Sequence, residues 1–457
     1  MKRINILSLI GILSIALISC SKERKEINDF DPNQFSDSDP TLMITGAQMA
    51  NVLFNEGEAA RLAGIFSGHF TGADRQYISY QNYSIVAGDF DNIWGTVYAE
   101  GIAQSRLIKE KALAANNMEL HSVAAITEAH LLLTASGLWG DIPNSEACDD
   151  AILMPKYDKM DDVHQYCIGI LDAALPYVEG SSAFSSAYVG GHNWAEVAQT
   201  LKARALLRKG DYTGAQTAAE NGIQAGKDLL VDHSADAPGA WNLFFDFCYW
   251  NRGGYMVSSG SHLSKILNQD SGNTMTRSND KTDESQRYGQ YYFSGTAYNY
   301  SDLDPNFLNG IFASSSPFAL VTYVENELIL AECASRAKDD ATALAHLNNV
   351  RSFNQGIYGD STYLPYDLAD FGSGQMVDGT DASDALLHEI LEEKYVSLFG
   401  QIETFVDMRR TKNELDIPLN TGSQAPQRFL FPQSEINSND NVPTDQLDLF
   451  MPLEYFK

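Results

Sequence analysis

Basic residues are scarce in this sequence of 457 residues, where 31 Lys and Arg stand against 60 Asp and Glu and the formal net charge is −29. A surface this acidic repels phosphate groups and anionic headgroups, which excludes nucleic acid as a partner. Cysteine is also scarce: there are five, and no two have the spacing of metal ligands. We therefore predict no metal site, no cofactor and no disulfide framework. Asp302 and Asp304 could give oxygens to calcium, but the spacing of a known calcium loop is absent, which favours a capped turn.

Catalytic motifs are missing as well. The sequence has no nucleophile elbow, no phosphate-binding loop and no HExxH pair. Glycosidases need two carboxylates across a cleft, but the adjacent Glu392 and Glu393 diverge on a helix and cannot flank one bond. The sequence therefore predicts a protein that is not an enzyme.

Long apolar runs are limited to one, residues 4–19, which follows Lys2 and Arg3 and is too short for a good transmembrane helix. It ends in Leu-Ile-Ser-Cys at Cys20, a pattern typical of a bacterial lipoprotein signal. We predict that residues 1–19 are a signal peptide, that Cys20 is lipidated, and that residues 20–41 are the lipidated cysteine and a flexible polar tether. The remaining residues, 42–457, are predicted to form a single domain.

Helical periodicity dominates that domain. Trp94, Tyr98 and Ile102 recur on one helix face, and similar patterns predict that Trp94, Trp139 and Trp194 lie in the core. Two helix–turn–helix units share residues at the same mutual spacings, namely Ala203, Arg208, Asp211 and Ala215 in one and Ala331, Arg336, Asp339 and Ala343 in the other. Such units are typical of tetratricopeptide-like hairpins. We predict a mainly α fold, a degenerate array of these hairpins with loop-rich insertions at residues 68–88, 141–160, 229–318 and 354–382.

The loops carry an unusual share of aromatic side chains beside Asn, Gln and Arg. Aromatic rings stack on the C–H faces of sugars, and planar polar groups bind sugar hydroxyls. The candidate ligand-binding residues are Arg75, Tyr77, Tyr80 and Tyr83 in the first loop, Trp250, Asn251, Arg252 and Tyr255 in the second, and Tyr291, Tyr292 and Tyr298 in the third. The neighbouring cluster of Trp241, Phe244, Phe245 and Phe247 is so apolar that we predict a buried plug beneath the loops.

Several motifs in this order resemble the SusD/RagB family of outer-membrane nutrient-binding lipoproteins. They lie at residues 138–143 (LWGDIP), 194–212, 323–332 (YVENELILAE), 349–351 (NVR), 393–394 (EK) and 403–410 (ETFVDMRR). Phe405 stands where the family usually has Trp. The resemblance runs along most of the predicted domain and is specific because the motifs occur together behind a lipoprotein signal.

The resemblance implies a cell-surface, outer-membrane protein that captures a nutrient, usually an oligosaccharide, for a SusC-like TonB-dependent transporter. Two alternatives stay open: the same scaffold capturing peptides or another nutrient, and a structural tetratricopeptide-type adaptor. An adaptor would bind through a concave helical groove, whereas a capture protein would use the loops at residues 68–88 and 240–300.

Overall fold

Long helices form the body of the protein. The computed structural model describes residues 38–294, 303–359 and 362–456. The helices of eight or more residues are α1 (Pro40–Glu56), α2 (Glu58–Phe66), α3 (Ala103–Ala114), α4 (Met118–Trp139), α5 (Met160–Val178), α6 (Trp194–Arg208), α7 (Tyr212–Ala219), α8 (Tyr323–Arg336), α9 (Asp340–Tyr358), α10 (Ala382–Ser397) and α11 (Glu403–Arg410). Because Pro40 and Thr41 belong to α1, the helical body begins two residues before the predicted boundary.

Consecutive long helices pack on one another. Helix α3 packs on α4, α4 on α5, α5 on α6, α6 on α7, α7 on α8, and α8 on both α9 and α10. The predicted core residues Trp94, Trp139 and Trp194 are all buried. The prediction of a mainly α array of tetratricopeptide-like hairpins is therefore confirmed, whereas the extent of the single domain stays a prediction.

Short elements fill the loop-rich stretches. Short α-helices lie at Gln76–Gln81, Asp91–Gly95, Leu243–Phe245, His262–Leu267, Ser285–Tyr291 and Gln433–Ser438, and 3₁₀ turns at Ala87–Phe90, Leu368–Asp370, Thr444–Gln446 and Glu454–Phe456. π-helical segments lie at Thr96–Ile102 and Asp246–Asn251. The strands are β1 (Thr71–Gly72), β2 (Ile142–Pro143), β3 (Tyr157–Asp158), β4 (Leu229–Val231), β5 (Met256–Val257), β6 (Tyr292–Ser294), β7 (Leu303–Pro305) and β8 (Phe318–Val321).

Each described strand pairs antiparallel with one partner, and two of the four ladders join distant parts of the chain. β1 pairs with β5, with Thr71 opposite Val257, and β4 pairs with β8, with Val231 opposite Phe318. β2 pairs with β3, and β6 with β7. A two-stranded ladder this short is not stable alone and needs packing against other elements. In the described part of the chain, the ladders and the helices therefore hold the loops in place together.

The same turn closes three of the helical hairpins. A residue with positive φ precedes the cap of the next helix in each: Asn116 (54°) before Asn117, Gly210 (76°) before Asp211, and Lys338 (63°) before Asp339. The cap side chains accept a hydrogen bond from the N–H three residues on, at 3.1, 2.9 and 3.2 Å. The turn ends one helix and begins the next, which explains the repeated Asp in the two units recognised from the sequence.

The carboxyl end of α4 lies in the interior, where its last carbonyls cannot reach water. Two buried arginines from distant segments supply donors there: Arg409 donates to Gly137 O at 2.6 Å, and Arg428 donates to Trp139 O. A third buried arginine, Arg208, donates to Leu133 O at 2.6 Å, earlier in the same helix. Arg409 of the motif at residues 403–410 thus contacts the end of the helix that leads into the motif at residues 138–143, and this contact stabilises the fold.

The repeated turn predicts opposite effects for two glycine exchanges. Gly210→Ala places a Cβ in open space, so only its left-handed backbone is penalised, and we expect a loss of about 1 kcal/mol in the free energy of unfolding. Lys338→Gly relieves the same penalty in the equivalent turn, and we expect a gain of about 0.5 kcal/mol. Urea unfolding of both variants measures this. A change of the same sign in both would contradict the equivalence of the turns.

Candidate ligand-binding site

The exposed aromatic surface lies on the segment from Trp241 to Tyr255. The Trp250 side chain is 60% exposed, and its ring centroid is 5.4 Å from that of Trp241, with 70° between the ring planes. The two indoles therefore form an open corner. The prediction of a buried plug is correct for Phe244, which is fully buried, and wrong for Trp241, Phe245 and Phe247, which are only half-buried. A corner of two rings offers apolar faces in two directions, and an exposed face of either ring can stack on a sugar.

Two buried polar side chains position this segment. Asn242 accepts hydrogen bonds from the N–H groups of Phe244 and Phe245 at 3.0 and 3.3 Å, and its Nδ2 donates to Ser316 O at 3.1 Å. Glu56, at the end of α1, accepts from the Leu243 N–H at 2.8 Å, and its other oxygen lies 3.0 Å from His233 Nε2. Burial raises the pKa of Glu56. These anchors fix the point at which the aromatic segment leaves the body.

A groove of about 260 Å³ lies beside the start of this segment. Both polar and apolar side chains line it: Glu58, Arg61, Asn92 and Asp246 together with Leu53, Phe54, Ile93, Leu243 and Phe247. Both π-helical segments border the groove, through Thr96 and through Asp246. Since π-helical turns often occur at functional sites, their position here supports a binding role for this surface.

Arg61 is held rigidly at the groove. Its guanidinium carbon lies 4.1 Å from the centroid of the Phe247 ring, and its Nε donates to the Tyr77 hydroxyl at 2.9 Å. A fixed guanidinium beside Glu58 and Asp246 gives the groove donors and acceptors for a ligand rich in hydroxyl groups. Neither Arg61 nor Glu56 was among the residues predicted from the sequence, because both lie on helices whose pattern indicated core.

Five of the predicted residues lie at the surface. Trp250, Asn251, Arg252 and Arg75 are exposed, and Tyr255 is half-buried. Asn251 donates to Asp246 Oδ2 at 2.7 Å, which places the amide at the groove, and the Arg252 guanidinium lies 5.9 Å from the Tyr255 ring.

The first and second predicted loops are neighbours. The Ala73 N–H donates to Tyr255 O at 2.8 Å, next to the ladder of β1 and β5. This ladder brings the residues before Arg75 beside the end of the aromatic segment. The structure thus assembles these two predicted loops into one face.

The other tyrosines are buried. Tyr77, Tyr80, Tyr83, Tyr291 and Tyr292 are at most 8% exposed, so they cannot stack on a ligand in this conformation, and we revise their interpretation from ligand contacts to core residues. Burial raises the pKa of Tyr77 to about 12. The Tyr83 hydroxyl accepts from the Asn420 N–H at 2.9 Å, and the Tyr291 hydroxyl donates to Val396 O at 3.2 Å. Tyr298, like Cys20 and Asp302, lies outside the described residues.

The adjacent carboxylates Glu392 and Glu393 are both paired with arginine. Glu392 lies 2.9 Å from Arg277, and the buried Glu393 lies 2.9 Å from both Arg277 and Arg287. Burial alone would raise the pKa of Glu393, but Arg287 and Arg277 hold that pKa below its usual range. These carboxylates are structural ion pairs. Among the described residues no group of His, Cys, Asp and Glu could hold a metal ion.

The chain is an array of helical hairpins, and an exposed aromatic corner lies on it beside a groove of mixed polarity. The sequence profile of the SusD-like family, described as "Starch-binding associating with outer membrane", matches residues 32–432. The chain therefore belongs to the SusD/RagB family. A comparison with curated proteins found no significant match.

Solved structures of the same fold cover almost the whole chain. One is a SusD/RagB family protein from Bacteroides thetaiotaomicron, with 16% identity and a TM-score of 0.66 over 91% of this chain and 98% of the other. Another is a SusD-like protein from the same species, with 15% identity and a TM-score of 0.68 over 92% and 98%. A third is a chitin-binding SusD homologue from Flavobacterium johnsoniae, with 15% identity and a TM-score of 0.66 over 91% and 99%. No helix in the described ranges is long and apolar enough to cross a membrane.

The anchoring role of Glu56 predicts a local loosening when the carboxylate is removed. Glu56→Ala leaves the Leu243 N–H and the His233 ring without partners, and we expect a loss of about 2 kcal/mol in the free energy of unfolding and faster hydrogen exchange in residues 233–250. Exchange measured by mass spectrometry checks this. Glu56→Gln is the matched control, since its amide can make both hydrogen bonds. Unchanged exchange in Glu56→Ala would contradict the role.

Proposed function

We propose that this protein is an outer-membrane lipoprotein that captures oligosaccharides at the cell surface for import. The observation that carries the proposal is the exposed corner of Trp241 and Trp250 beside the groove of Arg61 and Asp246. Membership of a family described as starch-binding supports glycan as the ligand class, as does the chitin-binding homologue of the same fold. The proposed contact residues are Trp250, Asn251, Arg252, Tyr255 and Arg75, to which the structure adds Trp241.

The proposed partner is a SusC-like TonB-dependent transporter, over which the protein sits as a lid. The family description places its members at the outer membrane, and the predicted lipid on Cys20 supplies the attachment. Co-purification of a transporter with the protein from native membranes tests the partnership. A protein that comes away from the membrane alone under mild detergent would argue against it.

Calorimetric titration against plant, host and microbial oligosaccharides and mixed peptides tests the ligand class. Saturable binding to one glycan class supports the proposal. Binding to peptides alone would favour the same scaffold as a peptide-capture protein, for which the charged Glu58, Arg61 and Asp246 are suitable. Binding to neither, together with a protein partner held by the helices, would favour the adaptor.

Removal of one indole predicts a measurable loss of affinity. Trp250→Ala removes a stacking surface worth about 1 kcal/mol, so we expect five- to tenfold weaker glycan binding. Trp250→Phe keeps a ring and should recover most of the affinity. Tyr177→Ala, which removes a half-exposed ring on α5, is the surface control and should bind as the unchanged protein does. Equal affinity in all three variants would exclude the corner as the site.

The predicted anchor is tested by changing Cys20. Cys20→Ser should move the protein from the membrane fraction to the soluble fraction, because several acyl chains are needed for stable attachment. The control is Cys148→Ser, since Cys148 is an exposed free cysteine whose loss should leave the fractionation unchanged. A mature amino-terminal peptide that starts elsewhere or carries no acyl group by mass spectrometry would contradict the anchor.

A further inference from the structure

A pocket of about 430 Å³ lies between the end of α11 and the carboxyl-terminal segment. Two charged residues line it, Arg409 and Lys412, and both are basic. Among the described residues no Asp or Glu lines this pocket, although the whole chain has 60 acidic and 31 basic residues. In the described ranges it shares no lining residue with the groove beside the aromatic corner. The pocket is therefore separate from the site already described.

Arg409 is buried in the wall of this pocket and is fixed by backbone carbonyls. It donates to Phe405 O at 2.9 Å, to Gln427 O at 2.9 Å and to Gly137 O at 2.6 Å. These bonds use three of the five N–H groups of the guanidinium, so two remain for a ligand. The planar group is held in one orientation, which is what recognition of a carboxylate requires.

The positive charge of Arg409 is only partly compensated by the described residues. Burial, together with Arg208 and Arg428 nearby, lowers the pKa of Arg409 well below its ordinary value. Glu403 acts in the opposite direction, but it is already paired with Arg208 at 2.5 Å and with Arg204 at 3.3 Å. The carbonyls that Arg409 contacts carry only partial negative charge. An anion in the pocket would supply the missing compensation.

Lys412 brings a second positive charge to the same pocket. Its side chain is exposed, and its backbone has a positive φ of 54°. The next residue, Asn413, fixes this turn, because its side chain accepts from the Ile417 N–H and donates to Ile417 O, both at 3.0 Å. Salt screens charges that lie more than about 8 Å apart at physiological ionic strength. The negative net charge of the chain therefore does not cancel the attraction of the pocket for an anion.

The rest of the lining fits the body of a sugar. Gln424 and Gln427 offer planar amides for hydroxyl groups, and the half-buried Phe450 offers an aromatic ring for C–H groups. The volume lies within the range of small-molecule sites, about 300–1,000 Å³. An acidic sugar uses all three kinds of group, whereas a simple anion would use the basic residues alone.

We propose that this pocket binds an acidic sugar, whose carboxylate is held by Arg409 and Lys412 and whose ring lies against Phe450. A carboxylate accepts hydrogen bonds at both oxygens and pairs well with a guanidinium. The site is additional to the aromatic corner and does not depend on what the corner binds.

Titration of the full-length protein with methyl β-D-glucuronide, followed by saturation-transfer NMR, tests the pocket. We expect saturable binding, and binding about tenfold weaker for methyl β-D-glucoside, which has a hydroxymethyl group in place of the carboxylate. Lys412→Gln removes one charge from the pocket and should weaken binding of the glucuronide about tenfold. The matched control is Lys338→Gln, with unchanged binding, since Lys338 is also exposed and has a positive φ of 63°.

Four results would overturn the proposal. One is that the glucuronide does not bind to the full-length protein, and another is that the glucoside binds as tightly. Acetate binding as tightly as the glucuronide would make the pocket a site for any small anion. Binding of the glucuronide that Trp250→Ala abolishes and Lys412→Gln leaves unchanged would assign the acidic sugar to the aromatic corner. In that case the proposed function would stand and the second site would not.

Discussion

The carboxyl end of α4 is the point on which the rest of the structure depends. Burying the end of a long helix leaves carbonyls that water cannot satisfy, and each would cost free energy without a donor. The guanidinium groups of Arg409 and Arg428 supply those donors, and Arg208, from a third segment, donates to Leu133 O earlier in the same helix. The helix dipole adds to the attraction, since its carboxyl end carries partial negative charge. The early repeats and the carboxyl-terminal segments therefore stabilise each other.

The exposed aromatic surface lies on short segments that are anchored separately from the helical scaffold. The aromatic segment is held by Asn242, by Glu56 and by the ladder of β1 and β5, so its geometry depends on a few buried polar contacts. Rigid helices behind a variable loop face allow one fold to bind different ligands, because the loops can change without disturbing the repeats.

The sequence predicted the helical repeats well and the exposed residues less well. Hydrophobic periodicity and the repeated Asp at hairpin turns are local signals, and the structure has both where they were expected. Whether a tyrosine is exposed depends on segments that are distant in the sequence. The Tyr83 hydroxyl accepts a hydrogen bond from Asn420, and the Tyr291 hydroxyl donates one to Val396. Each partner is more than 100 residues away in the chain. The anchor of the site, Glu56, likewise acts on Leu243, and no pattern around Glu56 in the sequence indicates this contact.

The π-helical turn that carries Trp250 has a consequence for how the site can diversify. A π turn contains one residue more than the α turn it replaces. Deletion of one residue between Asp246 and Asn251 would restore α geometry and rotate the following side chain by about 100° around the helix axis. The direction of the exposed indole is thus set by the length of the segment. A single-codon insertion or deletion would therefore re-aim the aromatic surface of this chain, leaving both the scaffold and the identity of the ring unchanged.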